Sequence, residues 1–153
     1  MSWLSTKLPR GTQSHLTYCS HGLSYTTFKV SPSVTVTPEI FNMDRPPVAT
    51  VQIKNTGKLA GAQILQLYIS APESPTPRPN KELHGFEKVF LQAGEEKTVE
   101  IQLDRYATSF WDEIEDMWKS EQGTYEVLIG TSSQDVVARG KFQVERTTYW
   151  RGL

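Results

Sequence analysis

The sequence predicts an all-β fold, with two antiparallel sheets packed face to face. Three observations carry that prediction. Apolar and polar residues alternate with a period of two in several segments, most clearly residues 48–54 and 98–103. Turn residues punctuate those segments at short intervals, as at Asn55-Thr56-Gly57 and Ala93-Gly94-Glu95. No helix-like stretch intervenes, and a single sheet of about seven short strands would leave one apolar face in water, so two packed sheets follow.

Composition narrows the function. The 153 residues fit one domain plus a tail. The formal net charge of −1 lacks the basic excess that phosphate neutralisation needs, which argues against nucleic acid as a partner. No apolar run approaches the ~20 residues of a membrane-spanning helix. The first thirty residues hold no continuous apolar segment, so no signal peptide is expected. Cys19 is the only cysteine and excludes an internal disulfide. Asn42, Asn55 and Asn80 all lack a hydroxyl residue two positions on, so no glycosylation sequon marks the chain as secreted.

Residues 1–21 have no clear period and are expected to be a poorly ordered N-terminal segment. β-Branched and aromatic content rises over 22–30, a first strand, which residues 34–37 extend after a break at Pro32. Pro38, Pro46 and Pro47 keep the 38–47 connection out of a helix. Residues 48–55 alternate, with Ala49, Val51 and Ile53 on one face and Thr50, Gln52 and Lys54 on the other. At the following turn Gly57 is free to take positive φ.

Residues 61–70 form the longest strand-like apolar run, with Ile64, Leu65, Leu67, Tyr68 and Ile69, and both faces can be apolar. This predicts a strand in the middle of a sheet. Four prolines then fall within 72–79 and stiffen the loop. Residues 81–91 resume extended character with Leu83, Phe86, Val89, Phe90 and Leu91. Residues 98–103 put Val99, Ile101 and Leu103 inward. Asp104 is placed to cap a short helical turn, with Tyr106, Phe110 and Trp111 tucked beneath it. Residues 112–116 read as an acidic loop tip, 123–130 and 136–144 as the last two strands, and 146–153 as a tail. Seven or so strands at this spacing describe an immunoglobulin or fibronectin type III-like two-sheet sandwich.

Several motifs stand in register. They are Gly22-Leu23-Ser24-Tyr25-Thr26-Thr27-Phe28; Asn55-Thr56-Gly57 followed by Gly61 and Gln66-Leu67-Tyr68; and Arg78-Pro79-Asn80-Lys81-Glu82-Leu83-His84-Gly85-Phe86-Glu87-Lys88-Val89. Ser109-Phe110-Trp111-Asp112, Gly123-Thr124-Tyr125 and Ile129-Gly130-Thr131-Ser132 follow. In this order they resemble the C-terminal fibronectin type III-like domain of glycoside hydrolase family 3, the β-glucosidases and their relatives. The resemblance covers residues 22–145. Where the family usually has Pro-Phe-Gly and one more residue, this chain has Tyr18-Cys19-Ser20-His21, and residues 1–21 show no likeness to it.

The resemblance implies an accessory, stabilising domain of an enzyme that hydrolyses terminal, non-reducing β-glucosyl residues. Retaining glycosidases use two carboxyl groups about 5–5.5 Å apart. In the family these belong to domains that this chain lacks, so it implies no catalytic residue here, no cofactor and no activity of the chain alone. The implied partners are those catalytic domains. The parent family is often secreted. Arg78, Lys81, Tyr68 and Trp111 are expected at the interdomain contact. The alternative is a free-standing β-sandwich binding module for polysaccharide or a protein.

The remaining candidates are weaker. Asp112, Glu113, Glu115 and Asp116 are the only carboxylate cluster, but lack an apolar wall to raise one pKa and the regular spacing of a calcium loop. His15, Cys19 and His21 offer three soft ligands without the fourth that a structural zinc site needs, so no metal is expected. Ser24 lacks the second glycine of a nucleophile elbow, and the 130–133 turn has no lysine for a phosphate. Trp111, Trp118, Tyr125, Tyr149 and Trp150 offer aromatic surface for a sugar, although Trp111 and Tyr125 are expected in the core, with Tyr125 in a corner role.

Overall fold

Strict alternation builds the first sheet. Val51, Ile53, Val99 and Ile101 are buried, while Gln52, Lys54, Thr98 and Glu100 between them are exposed. In the computed structural model, which describes residues 25–152, this sheet is centred on β3 (Val48–Asn55). β6 (Glu96–Gln102) pairs along one side of β3. The two short strands β1 (Phe28–Val30) and β2 (Thr35–Thr37) share its other side, each against one half of it.

The second sheet has the order β10-β9-β4-β5, all antiparallel. β4 (Gly61–Ser70) lies between β5 (Glu82–Leu91) and β9 (Gly123–Gly130), and β10 (Val136–Val144) closes the far edge. The central position expected for residues 61–70 is therefore the observed one. Leu65, Leu67, Val127 and Ile129 point inward and are fully buried. They meet Val51, Ile53, Val99 and Leu103 of the first sheet's side in one continuous core. Tyr125 stacks on Phe142 at 5.6 Å, and Phe142 packs on Phe41 at 6.0 Å. Residues 32–41 run beside β10 through Val34 N to Arg139 O and Phe41 N to Gln143 O, which joins the two sheets along that edge.

The turn after β3 is pinned by a buried amide. The Asn55 side chain accepts from the Thr26 hydroxyl (2.8 Å) and the Gly57 N–H (3.0 Å), and donates to the Leu59 and Leu91 carbonyls (2.8 and 3.2 Å). A fully satisfied buried amide fixes local geometry without a desolvation penalty. Positive φ is found at Gly94 and Gly123, not at Gly57 as expected. Gly57 is needed for a different reason: a Cβ there would lie 1.9 Å from the Thr26 hydroxyl oxygen.

The structure has eleven strands among its described residues, against about seven expected. The additional ones are short. Pro32 splits the first strand region into β1 and β2, and a third sheet joins β7 (Ser109–Asp112), β8 (Met117–Ser120) and β11 (Thr148–Trp150) in the order β11-β8-β7. Residues expected to be a C-terminal tail thus supply a paired strand. The 3-10 turn Arg105–Thr108 leads into β7, capped by the Asp104 carboxylate, which accepts from the Tyr106 N–H at 2.9 Å. Among the described residues no helix is long and apolar enough to cross a membrane.

Candidate functional site

The stiff 72–81 loop folds back onto the body of the domain. Its anchor is Glu121, a carboxylate with only 4% of its surface exposed. Ser74 and Thr76 donate their hydroxyls to it (2.6 and 2.8 Å), and the Lys119 ammonium lies 3.2 Å away. Burial pushes the Glu121 carboxyl up, but the three donors outweigh it and hold the group below its ordinary value. Lys119 is raised in turn, chiefly by its hydrogen bond to Glu121.

Arg78, expected at an interdomain contact, is engaged inside the domain. Its guanidinium pairs with Glu82 at 2.8 Å, donates to the Thr108 carbonyl at 3.3 Å and lies over the Phe110 ring at 5.2 Å. Lys81 lies 5.3 Å over the Tyr68 ring and donates to the Ser133 carbonyl, which covers Tyr68 and leaves it 7% exposed. The loop therefore brings Lys81 to Tyr68, while Arg78 is held separately among Glu82, Thr108 and Phe110. Trp111 sits apart from them, on the third sheet.

Register explains the third sheet. Trp111 of β7 pairs with Trp118 of β8, and Trp118 with Trp150 of β11, so three indoles form one row across three strands. Trp118 and Trp150 stack at 5.7 Å, and Tyr106 packs edge-on to both at 5.1 and 5.0 Å. The neighbouring row, on the opposite face, is Phe110, Lys119 and Tyr149, with the ammonium 5.8 and 5.7 Å from the two rings. Tyr106 and Trp111 are not tucked beneath the turn as expected: they are 38% and 45% exposed, because the indole row itself lies at the surface. The five aromatics read as sugar-stacking candidates do not make one platform. Trp118 and Trp150 spend ring faces on each other, Tyr149 faces away, and Tyr125 is core. The Tyr125 hydroxyl donates to the Glu121 carbonyl four residues upstream at 2.9 Å, the corner role expected of it.

The acidic cluster is a turn. The Asp112 carboxylate accepts from the Ile114 and Glu115 N–H groups (3.0 and 3.3 Å), with Lys119 at 3.6 Å, while Glu113, Glu115 and Asp116 are exposed. Among the described residues no three His, Cys, Asp or Glu side chains group to hold a metal ion. His15, Cys19, His21 and Ser24 lie outside the described residues.

His84 is a titratable group that sequence reasoning passed over. It sits at the irregularity where the β4–β5 register shifts, between Leu83 and Gly85. Its buried Nε2 has no hydrogen-bond partner, and the Glu82 carboxylate lies 3.7 Å away. Burial lowers its pKa and outweighs the opposing pull of Glu82 and Asp104.

A second feature also escaped notice: the outward face of β4 and β5. Ala62, Ile64 and Gln66 pair with Phe90, Lys88 and Phe86, so these six side chains share the face that points away from the core. Phe86 is 69% exposed and Phe90 59%, with Ile64 and Leu83 also exposed. The signal was available, because residues 86–91 carry apolar side chains at both parities, and one parity alone faces the core.

The fibronectin type III-like domain family model matches residues 63–133, which run from β4 through the turn after β9. The chain carries a fibronectin type III-like domain. Known proteins similar to it are β-glucosidases. A probable β-glucosidase H from Neosartorya fischeri is 72% identical over 133 residues, 87% of this chain and 16% of that protein. The β-glucosidase of Kluyveromyces marxianus solved with glucose superposes with a TM-score of 0.78 at 42% identity, covering 88% of this chain and 16% of that one. A GH3 β-glucosidase from Bifidobacterium adolescentis gives 0.73 at 34% identity, over 82% and 18%. The chain thus spans about 16% of the length of the curated relatives it matches. The fibronectin type III-like domain is the part of those enzymes that it resembles.

Proposed function

We propose that this chain is the accessory, stabilising domain of a β-glucosidase-type glycoside hydrolase and has no hydrolytic activity by itself. The observation that supports the reading is the 72% identity to a probable β-glucosidase H, confined to 16% of that protein's length. The remaining length supplies the catalytic domains as its partner, and with them the two carboxyl groups that retaining hydrolysis of a terminal β-glucosyl residue requires. Two carboxylates of this chain are engaged in its own structure: Glu121 anchors a loop and Asp112 caps a turn.

The proposed contact includes Lys81 and Tyr68 on the second sheet's flank and the exposed edge of Trp111, with Arg78 acting from within to hold the 72–81 loop in shape. Carbohydrate as a direct partner would rest on the Trp111–Trp118–Trp150 row, whose ring faces are partly spent on one another.

Two assays test the reading. The purified chain is expected to release no nitrophenol from an aryl β-glucoside above a boiled control; release would overturn it. On insoluble cellulose the chain is expected to wash through; retention would favour a binding module.

A further inference from the structure

We propose that the outward face of β4–β5, centred on Ile64, Phe86 and Phe90, is the surface on which this domain seats against the rest of a β-glucosidase chain. The inference rests on the accessory-domain reading and adds which face docks and what the complementary surface carries.

The sandwich has two outward sheet faces, and they differ in chemistry. On the first sheet the outward residues of β3 and β6 are polar or charged (Thr50, Gln52, Lys54, Glu96, Thr98, Glu100 and Gln102) apart from half-buried Val48, and they suit water. On the second sheet the β9–β10 half is charged, with Lys141 paired to Glu126 at 3.4 Å and Arg139 exposed beside them. The β4–β5 half instead shows Ile64, Leu83, Phe86 and Phe90, all between 44% and 69% exposed. Contiguous apolar surface of this kind marks a place where another surface is meant to lie.

β5 adds an independent observation. It is ten residues long and, among the described residues, pairs only with β4, so its outer backbone edge is open. A long edge strand flanked by exposed phenylalanines is an aggregation hazard unless it is covered. The cover is the remainder of the relatives' length, of which this chain is only 16%. Lys88 lies between the two phenylalanines, opposite Ile64, and forms no ion pair among the described residues. A lysine inside an apolar patch needs an acceptor when water is removed. The complementary surface therefore carries apolar side chains around a carboxylate or free carbonyls.

The test uses β-glucosidase H of Neosartorya fischeri with its matching segment exchanged for this chain. The fusion is compared with the same enzyme lacking that segment. Fusions carrying Phe86→Ser with Phe90→Ser, or Lys88→Glu, are compared with a control carrying Thr98→Ala with Glu100→Ala. The proposal expects the unaltered fusion and the control to melt together. The Phe86/Phe90 variant should melt lower by roughly 5 °C, with the domain released early by protease, and Lys88→Glu should fall between. The same substitutions in the 153-residue chain should leave its own melting unchanged, because the rings are exposed.

If the unaltered fusion is no more stable than the enzyme without the segment, the accessory-domain reading fails and this inference with it. If the fusion is stabilised but the Phe86/Phe90 variant matches the control, only the docking face is overturned. If the chain alone sediments as a dimer that these substitutions disperse, while the fusion ignores them, the face is a self-association surface and the proposal is overturned.

Discussion

The two outward faces of this sandwich were built by the same alternation, yet only one is finished by solvent. On β3 and β6 the buried side chains are apolar apart from Asn55, and the outward ones are polar or charged apart from half-buried Val48, so the face suits water. On β4 and β5 inward Leu65, Leu67, Val89 and Leu91 are matched by outward Ile64, Phe86 and Phe90. The inner faces of the two sheets make one domain. The outer faces differ in which of them, on the proposed reading, docks against another surface. Apolar content alone does not separate the two roles: the geometry of the strand does, because neighbouring residues on β4 serve different surfaces.

The sharpest way to break this comparison is on β4 itself. Leu65→Ala, fully buried, is expected to destabilise the chain by about 2–5 kcal/mol in urea unfolding. Ile64→Ala next to it, 44% exposed, is expected to cost about 0.5 kcal/mol. Equal costs would mean that the outward face is already covered within this chain, and the distinction would collapse.

The loop that borders the apolar face gives the next largest effect. Glu121→Gln removes the charge that Ser74, Thr76 and Lys119 share and is expected to cost about 1–3 kcal/mol. Protease cleavage within residues 72–81 should rise with it. The pH dependence has a definite sign. The folded carboxyl lies below its ordinary 4.5, so its contribution is present above that pH and is lost as pH falls through the lowered value. A urea series at falling pH should show this limb in the parent chain and not in Glu121→Gln.

His84 has a smaller effect in a separate window. The unfolded imidazole gains its proton at the ordinary 6.5, and the folded one only at lower pH. Stability should therefore decline as pH falls from 6.5 toward the folded value, and His84→Asn should flatten that decline. The smallest expected effect on stability is Phe86→Ser in the chain alone, within about 0.5 kcal/mol. Its visible consequence is reduced binding of a hydrophobic dye. An unchanged dye signal would move the exposed apolar surface elsewhere.

Most of the sandwich was legible because its long strands alternate. Val51-Gln52-Ile53 and Val99-Glu100-Ile101 declare their faces, and the unbroken run of β4 declares its central place. The third sheet was not legible. Its strands are three and four residues long, too short to display a period, and Trp111, Trp118 and Trp150 meet through register that no local pattern encodes. Gly57 was legible as a required glycine but not for its reason, which is a contact with Thr26 far away in sequence. Arg78 was legible as a chemically important cation, whereas its partners Thr108 and Phe110 come from a segment thirty residues on. The docking face was hidden because an apolar side chain reads the same whether its own chain or another surface covers it.

Hydrogen exchange along β5 tests the central claim most directly. Its backbone N–H groups are compared between this chain alone and the same chain fused within β-glucosidase H. The account predicts slower exchange in β5, and no change in β3 and β6, when the remainder of the enzyme is present. Equal exchange in β5, or new protection confined to β3 and β6, would contradict it.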